Sequence, residues 1–100
     1  MILHVVTFTL RDDVTDPQLD AVDAALAELP ARIAALRSYS HGRDLGLRSG
    51  NGHYAVVALV DNAEGLVGYL DHPDHVRAVQ THLQPLLVTR QAVQIETGPL

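Results

Sequence analysis

The chain has 100 residues and a mass of 10.8 kDa, the size of one domain with a single core, so we expect residues 1–100 to form one domain. It carries a formal net charge of −5, contains no cysteine and has only scattered arginines as strongly basic residues. These features exclude disulfides, thiolate metal sites and cysteine nucleophiles, and they leave no basic stripe for nucleic acid. No apolar run approaches the roughly 20 residues of a membrane span, and the N-terminus lacks signal-peptide features. We therefore expect a cytoplasmic protein with no nucleic-acid or membrane partner.

The N-terminal segment predicts a strand over Ile2–Leu10, which is rich in β-branched and aromatic residues. Alternation places five of its side chains on one face: Ile2, His4, Val6, Phe8 and Leu10. The opposite face is also fairly apolar. A strand that is apolar on both sides is usually covered on both sides.

A helix is predicted next, beginning at Asp16-Pro17 with Asp16 as its N-cap. Six apolar residues then recur at helical spacing: Leu19, Val22, Leu26, Leu29, Ile33 and Leu36. Pro30 lies within this stripe and predicts a kink or a restart of the helix. Residues 38–47 are a weaker strand candidate, followed by a glycine-rich turn at 49–52.

The second half predicts a central strand over residues 53–60 and two short helical segments. Asp61, with Glu64 three residues later, resembles a capping box for a helix that reaches Tyr69 or Leu70. His72-Pro73 breaks that helix. Pro73 opens the next segment, which ends before Pro85 and places three apolar residues on one face: Val76, Val79 and Leu83. Residues 86–97 predict a last strand, in which Val93 and Ile95 alternate with Gln94 and Glu96.

The order strand, helix, strand, strand, helix, strand is that of a ferredoxin-like α+β subunit with an antiparallel sheet. Its helices cover one face of the sheet and leave the other bare. Because two strands are apolar on both faces, we expect the bare face to pack against a second copy of the chain. The prediction is a homodimer in which two sheets pair face to face.

The residues best suited to chemistry lie around the predicted helix break. Tyr69 ends one helix and His75 lies one turn into the next, so the break allows both side chains to point at one place. A phenol and an imidazole together form a workable acid–base pair. The alternative is that this histidine-rich stretch is a solvated loop and helix face. His4, alone on an apolar strand face, is typical of a core histidine with satisfied hydrogen bonds.

A metal site is the other use of the clustered histidines. His72 and His75 are three residues apart, and His82 follows seven residues after His75. Zinc in proteins takes three or four protein ligands, and no cysteine can complete the set. His53 opens the central strand and is equally compatible with a solvated rim position. We expect neither a metal nor any other cofactor.

Four segments together resemble the stress-responsive A/B barrel proteins, a branch of the dimeric α+β barrel superfamily. They are Met-Ile-Leu-His-Val-Val-Thr-Phe at 1–8, Gly-Arg-Asp-Leu-Gly-Leu at 42–47, His-Tyr-Ala-Val-Val at 53–57 and Tyr-Leu-Asp-His-Pro-Asp-His-Val at 69–76. The resemblance covers essentially the whole chain. It implies a ferredoxin-like subunit, a barrel-like homodimer, and a small apolar pocket between the sheet and the helices.

Similarity to the olivetolic acid cyclase-type members of this family implies roles for individual residues. His75 matches their general base, Tyr69 matches the tyrosine that orients the substrate carbonyl, and His4 matches a pocket-lining histidine. A histidine of their central strand falls on Tyr54, one position from His53. We therefore predict His75 and Tyr69 as catalytic residues. Three further histidines are predicted to bind ligand: His4, His53 and His72.

The resemblance leaves three functions open. The first is a dimer that binds a small carbonyl or phenolic compound and acts as a cofactor-independent cyclase or lyase through His/Tyr proton transfer. The second is a non-catalytic, stress-related dimeric protein. The third is a cofactor-free monooxygenase, since the wider superfamily contains such enzymes.

Overall fold

The computed structural model describes residues 1–99 as one antiparallel sheet with helices packed against one of its faces. The four strands are β1 (Ile2–Leu10), β2 (Ser38–Arg43), β3 (Tyr54–Val60) and β4 (Leu87–Glu96). The four helices are α1 (Asp16–Ala27), α2 (Leu29–Arg32), α3 (Ala63–Leu70) and α4 (Pro73–Ala78). A π-helical turn, Val79–Leu83, and a short 3₁₀ turn, Gln84–Leu86, connect α4 to β4.

The strand order β2-β3-β1-β4 is the ferredoxin-like order that the sequence predicts. β1 lies at the centre and pairs antiparallel with β3 on one side and β4 on the other. Hydrogen bonding therefore brings the two ends of the chain together, and the Met1 ammonium donates to the Thr97 carbonyl oxygen at 2.8 Å. Among residues 1–99, no helix combines the length and the apolar character that a bilayer crossing requires.

The core lies between the sheet and the helices, where the predicted alternation of β1 is confirmed. His4, Val6, Phe8 and Leu10 are all buried on the helix-facing side. The predicted helical stripe is also buried against them, through Val22, Leu26, Leu29, Ile33 and Leu36. Each fully buried side chain of this kind contributes roughly 1.5–3 kcal/mol to folding.

Both predicted N-caps lie one residue away from the true caps. Thr15, rather than Asp16, caps α1 and forms a capping box with Gln18. Asn62, rather than Asp61, caps α3, and its side-chain oxygen accepts from the Gly65 N–H at 2.9 Å. Sequence indicates which residue types can cap, whereas the backbone decides which neighbour is the last residue outside the helix. The carboxylate of Asp61 instead pairs with Arg37 at 2.8 Å.

The segment after α3 also departs from the predicted single apolar face. Leu83 is buried and Val79 is half-buried, but Val76 is exposed and Ala78 takes the inward position. The reason is the π-helical turn at Val79–Leu83, which changes the rotation per residue and breaks the register with α4.

β2 is shorter than the predicted strand at 38–47 and ends at Arg43. The Asp44 carboxylate accepts from the Gly46 N–H at 2.9 Å, and Gly46 has a φ of 72°, a left-handed conformation that favours glycine. The turn that these contacts form ends the strand.

The other face of the sheet carries an uncovered apolar surface. Within residues 1–99 no helix lies over it, and its apolar side chains come from three strands: Leu3, Val5, Val57, Val93 and Ile95. Val5 is the centre of this surface because it pairs with Val57 on one side and Val93 on the other. Val93 is 57% exposed and Ile95 is 48% exposed.

Candidate active site

A cavity of about 450 Å³ lies between the sheet and the helices. Its walls are mostly apolar side chains from β1, α1, β3, α3 and the segment from α4 to β4. Six lining residues have polar side chains: His4, Tyr39, Tyr69, His75, Gln84 and Arg90. A mostly apolar cavity with a few convergent polar groups is the usual form of a small-molecule site.

The helix break brings Tyr69 and His75 together. Tyr69 is in the last turn of α3, and α4 begins at Pro73, with His72 as its N-cap. The chain turns here because a residue before proline avoids the helical region. As a result, the rings of Tyr69 and His75 lie with their centroids 4.4 Å apart.

His75 has a defined proton position. Its Nδ1 lies 3.0 Å from the carbonyl oxygen of Leu70. A carbonyl oxygen only accepts, so Nδ1 carries the proton and Nε2 of the neutral ring keeps its lone pair free. Burial lowers the pKa of His75, the positive charge of Arg90 lowers it further, and the bond to Leu70 partly opposes this shift. The ring is therefore a neutral base near pH 7.

His4 has the opposite proton position. It is 2% exposed, and the amide nitrogen of Gln94 donates to its Nδ1 at 2.7 Å. A neutral ring that accepts at Nδ1 carries its proton on Nε2. Burial, followed by the charges of Arg90 and His75, lowers the pKa of His4 and keeps it neutral. His4 is thus both a core histidine with a satisfied hydrogen bond and a cavity-lining donor.

Tyr69 and Tyr39 form a pair of phenols at the same wall. Tyr69 is 2% exposed, and its hydroxyl lies 2.8 Å from that of Tyr39. Burial raises the pKa of both phenols, so each keeps its proton. The His4 and Tyr69 ring centroids are 6.3 Å apart. The cavity therefore has one accepting imidazole, one donating imidazole and protonated phenols around the same space.

The structure does not bring His53 and His72 to this cavity. β3 begins at Tyr54, so His53 lies just before the strand, where its Nδ1 accepts from the Leu10 N–H at 2.8 Å. His72 Nδ1 accepts from the Asp74 N–H at 3.1 Å and caps α4. Both histidines thus have local structural roles away from the cavity walls.

The other candidates of the sequence lie elsewhere as well. Tyr54, the position matched to the family's strand histidine, is buried and bonds to Asp23 and His41. His82 lines a separate groove on the helix side. Within residues 1–99, no group of three histidine or acidic side chains is close enough to share a metal ion.

Sequence reasoning missed four residues of this site: Tyr39, Gln84, Gln94 and Arg90. Tyr39 belongs to the weakly predicted strand, and pairing of β2 with β3 turns it towards the helices. Gln94 is opposite His4 and Arg90 is opposite Phe8 in the pairing of β1 with β4. The alternation of Gln94 with Val93 and Ile95 was a usable signal for its face, but the register between the strands was not available.

The fold and the cavity define a ferredoxin-like α+β domain with a cluster of histidine and tyrosine between sheet and helices. A model of the stress-responsive A/B barrel domain matches residues 2–97. The uncharacterized protein SCO4036 of Streptomyces coelicolor is 33% identical over 81 residues, which are 79% of this chain and 84% of that protein. The chain belongs to the stress-responsive A/B barrel family, as its motifs indicate.

Solved structures of similar proteins agree with this assignment. A dimeric ferredoxin-like protein of unknown function from Thermobifida fusca is 44% identical, with a TM-score of 0.89 over 96% of this chain and 90% of that chain. A dimeric protein of ferredoxin-like fold from Bacteroides fragilis is 28% identical, with a TM-score of 0.85 over 96% and 95%. A hydroxynitrile lyase from Passiflora edulis has a TM-score of 0.79 at 16% identity, over 98% and 96%, which is a likeness of fold alone.

Proposed function

We propose that each subunit binds a small carbonyl or phenolic compound in the cavity and catalyses proton transfer on it without a cofactor, as a cyclase or lyase of this fold would. The observation that carries the proposal is the pairing of His75 with Leu70. It leaves an unprotonated imidazole nitrogen within a buried site, next to the phenol of Tyr69. His75 and Tyr69 are the proposed catalytic residues, and His4 is the proposed ligand-binding residue.

The proposed step is removal of a proton next to a carbonyl group. The C–H bond breaks, its proton goes to His75 Nε2, and its electron pair moves to the carbonyl oxygen to form an enolate. The Tyr69 hydroxyl and the His4 Nε2–H donate hydrogen bonds to that oxygen. A base contributes typically 10²–10⁴-fold in such a step, and donors to a developing oxyanion contribute comparably in a dry site.

The test uses deuterium exchange at the carbon next to the carbonyl of 4-hydroxyphenylacetone, followed by proton NMR in heavy water. We expect the protein to accelerate the exchange, and we expect His75→Ala to reduce that acceleration about a hundredfold because the base is lost. The rate should rise with pH up to the lowered pKa of His75 and then stay level. Thermal unfolding should change little in the variant, because His75 is only half-buried.

His82→Ala is the matched control, since His82 is half-buried on the helix side but lines another groove. It should exchange at the wild-type rate. Absence of any acceleration by the wild-type protein would contradict the proposal and favour the non-catalytic, stress-related dimer. Loss of folding in His75→Ala would instead assign this histidine a structural role.

We also propose that the functional unit is a homodimer joined face to face through the apolar surface of Leu3, Val5, Val57, Val93 and Ile95. This apolar surface is continuous across three strands, and Val93 and Ile95 expose about half of their side chains on it. Related proteins from Thermobifida fusca and Bacteroides fragilis are described as dimeric. The cytoplasmic location stays a prediction from the sequence.

A further inference from the structure

Among residues 1–99, Arg90 is the single permanently charged residue that lines the cavity, and no carboxylate lines it. Arg90 pairs with Phe8 in the sheet, and Phe8 faces the helices, so Arg90 is on the cavity side of β4. β4 is an edge strand, and Arg90 is exposed. This position suits a long side chain whose stem covers apolar wall and whose guanidinium lies at the mouth.

Arg90 also differs from most arginines of the chain in having no ion-pair partner. Five of the seven arginines form ion pairs with carboxylates: Arg11, Arg32, Arg37, Arg43 and Arg77. Within residues 1–99, only Arg48 and Arg90 lack such a partner. The chain has 12 acidic residues and a net charge of −5, so carboxylates are plentiful, yet in the described part of the chain none of them lines the cavity.

The charge of Arg90 also reaches the interior of the cavity, since it lowers the pKa of both His4 and His75. A site with a free guanidinium, neutral imidazoles, protonated phenols and no carboxylate attracts anions and disfavours cations. Guanidinium binds carboxylates in a bidentate manner, with stronger hydrogen bonds than a neutral donor makes.

We propose that the ligand is a carboxylic acid, whose carboxylate binds Arg90 at the mouth of the cavity while its carbonyl or phenolic end lies among His4, Tyr69 and His75. The position of the inner end rests on the proposed function, whereas the recognition of the carboxylate rests on Arg90 alone. Arg90 is thus the residue that determines specificity for a carboxylate. It holds the ligand in one direction and takes no part in the proton transfer.

The test compares two probes of nearly the same shape, the anionic 4-hydroxyphenylacetate and the neutral 4-hydroxyphenylacetamide. Binding is followed through the ring-proton NMR signals of His4 and His75 in the wild-type protein and in Arg90→Gln. We expect the acid to bind about tenfold more tightly than the amide to the wild-type protein, and equally tightly to Arg90→Gln. Arg48→Gln is the control, because it removes the same charge from an exposed arginine outside the cavity, and it should keep the preference.

Equal binding of acid and amide to the wild-type protein would overturn this inference and leave the proposed function standing. Loss of the preference in Arg48→Gln as well as in Arg90→Gln would also overturn it, because the effect would then come from overall charge. Failure of both probes to move either histidine signal at millimolar concentration would overturn the inference together with the binding role of the cavity. An Arg90-dependent preference without any catalysed exchange would support the carboxylate site and contradict the proton-transfer proposal.

Discussion

The hydrogen-bond partners of the two cavity imidazoles place the ring proton on different nitrogens. A backbone carbonyl at His75 fixes the proton on Nδ1, and a side-chain amide at His4 fixes it on Nε2. The protein thus obtains an acceptor and a donor from one residue type, with burial keeping both rings neutral. The same burial keeps Tyr69 protonated, so its hydroxyl is able to donate a hydrogen bond within the cavity.

A second polar cluster joins the edge strand β2 to helix α1. Arg43 of β2 pairs with three carboxylates on α1, those of Asp16, Asp20 and Asp23. Asp23 also accepts from the buried Tyr54 hydroxyl, which bonds to His41 in turn. These contacts position β2, the strand that carries Tyr39 to the cavity.

At the scale of elements, the site depends on where α3 ends and α4 begins. α3 is a helix of eight residues, too short to be stable alone, so its N-cap and its packing hold Tyr69 in place. The π-helical turn after α4 places Val79 and Leu83 at the cavity wall. Such turns are frequent at functional sites.

Replacing the N-cap of α3 tests this dependence. Asn62→Ala should lower the free energy of unfolding by about 1 kcal/mol, because the Gly65 N–H loses its acceptor. The measurement is urea unfolding at one fixed protein concentration. Asp61→Asn is the control, and it should cost less, since it weakens only an exposed ion pair with Arg37. A larger loss in Asp61→Asn than in Asn62→Ala would show that the cap is assigned to the wrong residue.

The elements could be predicted from sequence because their signals are local. Alternation in β1, the stripe from Val22 to Leu36 and the proline at position 73 each act within a few residues. The errors are also local in origin. At both helix starts the neighbour of the predicted residue is the N-cap, because the two residues have similar capping ability. The π-helical turn, which has no recognisable sequence pattern, leaves Val76 outside the inner face.

The cavity could be predicted only in part, because its walls come from distant parts of the chain. His4, Tyr69 and His75 were found from their spacing and from the family motif. Tyr39 and Gln94 depend on strand register, which no single segment encodes. The family resemblance predicts His53 as a ligand-binding residue because it lies one position from the strand histidine of the relatives, whereas its Nδ1 accepts from the Leu10 N–H.

At the scale of the whole molecule, the sheet is the boundary between two environments. One face closes the cavity, and the other carries the apolar surface proposed to bind a second copy. Burying that surface would stabilise the sheet on its outer face and so hold in place the side chains on its cavity-facing side. The proposed face-to-face dimer would therefore couple dimerisation to the geometry of the cavity through the same four strands.

A charge placed on the bare face should prevent dimerisation. Val93→Lys puts an ammonium at a position that is 57% exposed in one subunit, so the subunit should still fold. In the dimer each subunit would bury one such charge without a partner, at a cost of about 3 kcal/mol per charge, so the pair weakens association by at least roughly a hundredfold. Light scattering at dilute concentration should give the mass of one 10.8 kDa chain for the variant and twice that for the wild type.

Val67→Lys is the matched control, with the same substitution at a 56% exposed valine of α3 on the helix side. It should remain dimeric. A wild-type protein that scatters as a single chain, or a dimer that survives Val93→Lys and dissociates with Val67→Lys, would contradict the face-to-face arrangement.

The proposed proton transfer requires an accepting nitrogen of His75 and donating groups around the same cavity, and nitrogen NMR of the histidine rings reports where each ring carries its proton. The measurement correlates ring protons with both ring nitrogens in the ligand-free protein at neutral pH, with His75→Ala and His4→Gln used to assign the signals. We expect a neutral His75 protonated at Nδ1 and a neutral His4 protonated at Nε2. A His75 ring that is protonated at Nε2, or charged at neutral pH, would have no lone pair on Nε2 to accept a proton from the substrate. Either result would contradict the proposed proton transfer.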